Sequence, residues 1–315
     1  MRPALLAFSY ALALAWVLPL PLRRLSELGA SPRLALAAWL TAMVSVLACV
    51  MAALGLLARA AIAGWPAFAR TVCESVSAGP CPAAVYRSAA YELSLAAAAL
   101  LGGLVVILLG WRYGRCLRRA SVRTRAHAEA ARITGHPVEG RDAAFVLDTT
   151  PPAVYCVPGR PPIIVLTTGA LAVLDSQQLT AVLAHERAHL AGRHHLLLAV
   201  TRSLAAVAPF VPLFARGSGE MARLAEMRAD DVAARRAGRR MLLTALIAMG
   251  AGAATAPAPA AWLAATGGII AIRIRRLAEP APPARRACHG LALAAITLAI
   301  LGATALVPAF TVTGI

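Results

Sequence analysis

Four stretches of this chain run without one charged side chain for the roughly 20 apolar residues that a helix needs to cross a bilayer. They are Pro3 to Leu22, Leu34 to Ala58, Leu93 to Trp111, and Ala287 to Ile315, the last most apolar over Leu291 to Phe310. A secretory signal would also explain the first, but no small-residue cleavage site precedes Arg23 and Arg24, so it too reads as a span. A fifth apolar run, Met241 to Ile272, is broken by Pro257, Pro259, Gly267 and Gly268 and has arginines at both ends. A crossing segment leaves its basic flank on one side, so this run is expected to pack on the protein or re-enter rather than cross.

The charges give direction. All 31 basic residues are arginine, and Arg112, Arg115, Arg118, Arg119, Arg123, Arg125 and Arg132 follow the third span with only Glu129 among them. Such an excess marks the cytosolic side. The expected organisation is residues 1–111 as three spans (about 3–22, 34–58 and 93–111) with an outside loop at 59–92, residues 112–286 as a cytosolic domain, and residues 287–315 as a fourth span with a short outside tail. Both termini then lie outside the cell membrane. The cytosolic segment holds 24 arginines against 11 carboxylates, +13 of the chain's +17, a charge suited to anionic headgroups of the bilayer. Cys73 and Cys81 share the outside loop, where a disulfide is permitted, whereas Cys49, Cys116, Cys156 and Cys288 fall in spans or the reducing cytosol. The lack of lysine excludes a Walker A phosphate loop, a Schiff-base lysine and a Ser-x-x-Lys acyl enzyme.

Within the cytosolic segment, His185-Glu186-Arg187-Ala188-His189 lies on a strongly helical stretch. A four-residue separation returns both imidazoles to one helix face, where they can ligate a single zinc ion. Glu186, beside the first ligand, stands where a base can take a proton from water activated by that metal. Chance would place this pattern in about one in a hundred chains of such composition.

A tetrahedral site needs one more protein ligand, and two residues compete. His195 completes His-Glu-x-x-His-x-x-Gly-x-x-His, in which Gly192 ends the helix and lets the third histidine turn back. Glu226, on a later helix, is followed one turn on by Asp230, placed to accept from the outer nitrogen of a ligating histidine. The residues after Gly192 stay helix-compatible, and one glycine costs a helix only about 1 kcal/mol. A continuing helix carries His195 away from the metal, which favours Glu226 and leaves His194 and His195 exposed or interfacial.

His185-Glu186-x-x-His189 followed by Glu226-x-x-x-Asp230 resembles the gluzincin membrane peptidases: the BlaR/MecR antirepressor proteases, the HtpX heat-shock proteases and the CAAX prenyl proteases. The resemblance implies a mainly α-helical multi-pass membrane protein, four transmembrane helices with a cytosolic α+β minimal gluzincin domain between the third and fourth. It implies one Zn2+ per chain held by His185, His189 and Glu226, with Glu186 as catalytic base and Asp230 orienting a ligand. The β-branched run from Pro161 to Leu171 is similar to the families' sheet-edge strand beside the metal, which puts Ile164, Val165 and Thr167 in reach of a substrate peptide adding as a strand. Arg273 and Arg276 are candidates to stabilise the oxyanion.

Three spans, a cytosolic domain and a fourth span are most similar to the BlaR/MecR type, which implies cleavage of a dimeric winged-helix repressor. About five residues follow the fourth span, so the extracellular penicillin-binding sensor is expected to be missing. HtpX-like proteolysis of damaged membrane proteins is the alternative. A third reading is a non-catalytic membrane anchor with a basic face; no helix-turn-helix or other nucleic-acid motif accompanies the charge, so direct nucleic-acid binding is not expected.

Overall fold

The computed structural model describes residues 2–27, 31–77, 83–138, 143–254 and 260–312. The chain is mostly helical. Helices α1 (Arg2–Trp16) and α2 (Pro19–Ser26) make one broken rod, interrupted where Pro19 withholds a backbone N–H. Helix α3 (Pro32–Ser77) and helix α4 (Ala83–Thr134) follow, and α11 (Pro283–Val312) closes the chain. Four helical stretches among the described residues are long and apolar enough to cross a membrane: Arg2–Ser26, Pro32–Trp65, Ala89–Thr134 and Pro283–Leu306.

The helices outrun the uncharged segments. At about 1.5 Å per residue, the 46 residues of α3 and 52 of α4 reach roughly twice the hydrocarbon thickness. Arg59 and Arg70 do not end α3, so most of the stretch expected as a loop at 59–92 is helix. The pairing of Cys73 with Cys81 lies outside the described residues. At its other end α4 carries the arginine-rich segment as a stalk, and Ala128 and Ala131 pack on Val157, Ile163 and Val165.

Those partners belong to a four-stranded sheet of β1 (His136–Pro137), β2 (Ala144–Leu147), β3 (Val154–Val157) and β4 (Ile163–Thr167), in the order β1-β2-β4-β3. Strand β4 pairs parallel with β2 and antiparallel with β3, and every one of its residues is buried. The resemblance put this strand at the edge, and the structure corrects that. Ile164 and Val165 are enclosed on both sides, so no peptide can add there. Thr167 is a local clamp: its hydroxyl accepts from the Ala170 N–H at 3.1 Å and caps α5 (Thr168–Val173), and it donates to the Pro151 carbonyl at 2.9 Å. The open edge beside the helices is β3.

Helix α6 (Ser176–Ala191) starts at a reciprocal cap in which Asp175 accepts from the Gln177 and Gln178 N–H groups and the Gln178 side chain accepts from the Asp175 N–H. It is followed by α7 (His194–Val207), α8 (Pro212–Ala237), α9 (Arg239–Ala254) and α10 (Ala260–Ala278). The last two occupy the run 241–272 as an antiparallel hairpin: Arg239 at the start of α9 lines the same cavity as Ile272 and Arg275 near the end of α10. Helix α8 is wedged into the apolar bundle. Its Leu213, Phe214, Met221, Leu224 and Met227 share one buried cluster with Trp39 and Met43 of α3 and Leu14 and Leu22 of the first rod. Gly217 permits this approach, since a Cβ there would lie 3.1 Å from the Trp39 ring and closer still to the Met43 methyl.

Candidate metal centre

Helices α6 and α8 face one another, and each brings side chains one turn apart to the seam. His185 and His189 project from α6, Glu226 and Asp230 from α8. The two imidazole Nε2 atoms stand 3.0 Å apart, and each lies 3.4 Å from a different oxygen of Glu226. Their donor atoms all lie within 4.8 Å of one another. Ligands at 2.0–2.1 Å on a tetrahedral zinc are separated by about 3.3 Å, so the three donors are spaced as such an ion requires. Two neutral rings and a carboxylate are also zinc's ordinary partners, which makes the donor set a chemical fit.

The outer nitrogens are held as well. His185 Nδ1 is 3.0 Å from Asp230 Oδ1, so the ring donates outward and leaves Nε2 free to ligate. Burial disfavours a charge on His185, but hydrogen bonds to Asp230 and Glu226 outweigh it and raise its pKa to about 9. Burial likewise opposes ionisation of Glu226 and Asp230, and the histidines and Arg273 overcome it, lowering both carboxyls. Without metal the centre therefore holds a proton that an ion must displace.

Arg273, read from the sequence as an oxyanion candidate, is engaged elsewhere. Its Nε and Nη2 donate to the two oxygens of Asp230 at 2.9 and 2.7 Å, and Nη1 lies 3.0 Å from Glu226. The fork thus clamps the carboxylates from α10. Arg276 donates to Asp231 at 2.7 Å and to the Met227 carbonyl at 3.3 Å. That engagement takes it out of the oxyanion assignment.

Glu186 is buried, and its Oε2 accepts the backbone N–H of Cys156 on β3 at 2.9 Å. Burial raises its pKa against the attraction of His185 and His189, which suits a group that must take up and release a proton. The Cys156 thiol is pushed up to about 12 by burial and by the Glu186 charge, so it stays protonated and is no nucleophile. Because Cys156 turns its N–H outward, strand alternation puts Val154 on the same open side of β3.

The segment after His189 breaks an expectation. Helix α6 stops at Ala191, and Arg193 adopts left-handed φ 48°, ψ 36° before α7 begins. The helix does not continue, yet the break does not deliver His195. It turns back His194, whose buried ring places Nδ1 3.0 Å from Nδ1 of His189. Burial, then repulsion from His189, lowers the His194 pKa to about 4, so it stays neutral. Gly192 leaves room for this ring: a Cβ there would lie 2.5 Å from His194 Nε2, so the ring would have to shift. His195 is half-buried, with Nδ1 lacking a hydrogen-bond partner. His194 was missed because an arginine in left-handed backbone carries no compositional signal.

Comparison with known proteins agrees with this geometry. No curated protein and no solved structure is significantly similar to the chain. A protein-family model, that of peptidase family M48, matches residues 118–281, just over half of the sequence and all of the cluster just described. The chain belongs to peptidase family M48.

Proposed function

We propose that this protein is a zinc-dependent endopeptidase of the cell membrane, with its active site on the cytosolic side and both termini outside. The observation that carries the reading is the convergence of His185, His189 and Glu226 beside a buried carboxylate, Glu186, oriented by a strand N–H. Zinc bound there supplies Lewis acidity, polarising a scissile carbonyl and bringing the pKa of water to about 7. Asp230, itself gripped by Arg273, keeps the outer proton of His185 in place, and His194 does the same service for His189. Glu186 removes a proton from the attacking water and returns it to the leaving amine. A substrate segment lies extended along β3, hydrogen-bonded to the outward N–H and carbonyl of Val154 and to the carbonyl of Cys156, whose N–H is held by Glu186, as strand addition to a free edge requires.

The favoured protein substrate is a dimeric winged-helix repressor, a reading supported by three candidate spans before the domain and one after it. A specific observation favours HtpX-like quality control as the second reading: Leu224 and Met227, which flank Glu226, are packed on span residues Trp39 and Met43, so the centre is seated against the bundle. A deletion strain separates the two, constitutive repression of a small regulon supporting the first and accumulation of misfolded membrane proteins the second. The metal assignment itself is tested by zinc analysis of purified protein. Wild type and His195→Ala should hold one zinc per chain and Glu226→Ala none; loss from His195→Ala with retention in Glu226→Ala would overturn the ligand set.

A further inference from the structure

A second constellation of arginines faces a cavity of about 710 Å³ where α8, α9, α10 and α11 meet the end of α2. Arg235, Arg239, Arg275, Arg276, Arg285 and Arg286 line it. Only Asp231, Glu27 and Glu279 oppose them. Arg276 is engaged by Asp231 at 2.7 Å, but among the described residues no ion pair compensates Arg235, Arg239, Arg275, Arg285 or Arg286. Five exposed guanidinium groups from four helices thus line one concave volume, and among the described residues none of them is held in an ion pair, which leaves the lining net basic, six arginines against three carboxylates. Arg285 and Arg286 also occupy the first turn of α11, the helix end that disfavours cations.

The volume falls in the range of about 300–1,000 Å³ common to small-ligand sites. The planar fork of arginine suits phosphate oxygens, to which it donates two parallel hydrogen bonds. Location narrows the source. Helix α11 enters its apolar stretch from Pro283, and Glu27 follows directly on the first rod, so the cavity opens where candidate spans begin and end. With those helices in a bilayer, this position corresponds to headgroup level.

We infer that this cavity is a binding site for a phosphate-bearing anion, presented either by an anionic phospholipid headgroup or by a soluble polyphosphate. Its back wall is the α8–α10 seam that carries the metal centre on the other side: Asp230 and Arg273 face one way, Asp231 and Arg276 the other. Anion binding there does not depend on whether the chain cleaves peptides.

The test uses the full chain in two arms. In the first, protein in nanodiscs of phosphatidylcholine with one part in five phosphatidylglycerol is examined by native mass spectrometry for retained lipid. In the second, inorganic pyrophosphate is titrated calorimetrically into protein in phosphatidylcholine nanodiscs. Each arm compares wild type with Arg275→Gln/Arg285→Gln and with Arg118→Gln/Arg119→Gln, which removes the same charge from the exposed stalk of α4. Zinc content and Tm check that both variants fold. The cavity variant should weaken binding about tenfold or more, as expected for losing charge-assisted hydrogen bonds, while the stalk variant binds as wild type. Retention of phosphatidylglycerol identifies a lipid site, and pyrophosphate binding alone a soluble ligand. Equal losses in both variants, or no binding in either arm, would overturn the inference.

Discussion

The seam between α8 and α10 carries two ion pairs of the same chemistry, each 2.7 Å long, on adjacent aspartates and on arginines three residues apart. Arg273–Asp230 leaves the side chains 11% and 1% exposed, whereas Arg276–Asp231 leaves them 16% and 30% exposed. Distance alone would rank them equal. Their surroundings do not: Asp230 also holds His185 and shares its arginine with Glu226, so removing it strands charges inside the protein, while Asp231 stands at the wall of an open, basic cavity. One pair lies inside the candidate metal centre and the other on the wall of the basic cavity.

The largest difference should appear when each aspartate is neutralised. Asp230→Asn is expected to destabilise the protein by about 3 kcal/mol, the cost of breaking a buried pair, and to weaken zinc binding about 10- to 100-fold. Asp231→Asn should stay within about 1 kcal/mol of wild type. Thermal unfolding and competition with a zinc chelator measure both; equal penalties would show that burial does not distinguish the two pairs.

The buried face should also respond to pH. His185 has a folded pKa of about 9, above the roughly 6.5 of an unfolded chain. A raised histidine pKa contributes stability that is full below pH 6.5 and is lost as pH rises through 9. Metal-free protein should accordingly show a falling Tm over that window, and zinc affinity should climb about tenfold per pH unit below 9 as the displaced proton becomes easier to lose. The Asp230→Asn variant should flatten both slopes, and a wild-type Tm that is level from pH 6.5 to 9.5 in chelator would contradict the assignment.

A smaller effect sharpens the role of the helix break. His194→Leu removes the partner of His189 Nδ1 without touching a ligand, and zinc affinity should fall about tenfold. Gly192→Ala, which forces the His194 ring away, should reproduce the direction. Unchanged affinity in both would make His194 a packing residue.

Helical period made His185, His189, Glu226 and Asp230 legible, because i,i+4 spacing fixes a face before any tertiary contact is known. The four long apolar helices were legible from uncharged length. Strand order was not: nothing local in Ile163–Thr167 says whether a buried strand is central or marginal, and β3, the true edge, is shorter and less apolar. Nor does sequence say that an arginine 47 residues beyond Glu226 turns back onto its carboxylate. Contacts of that kind arise only when α8 and α10 are packed. The same limit hid the depth of α8 in the bundle, where Gly217 makes room for Trp39 and Met43.

In the proposed mechanism Glu186 performs proton transfer while other residues hold the zinc. Full-length Glu186→Gln in nanodiscs, loaded with zinc and given an unfolded protein such as casein, separates holding from chemistry. The variant should hold one zinc per chain, as in wild type, with cleavage reduced about a thousandfold. Cleavage at the wild-type rate with zinc retained would contradict it.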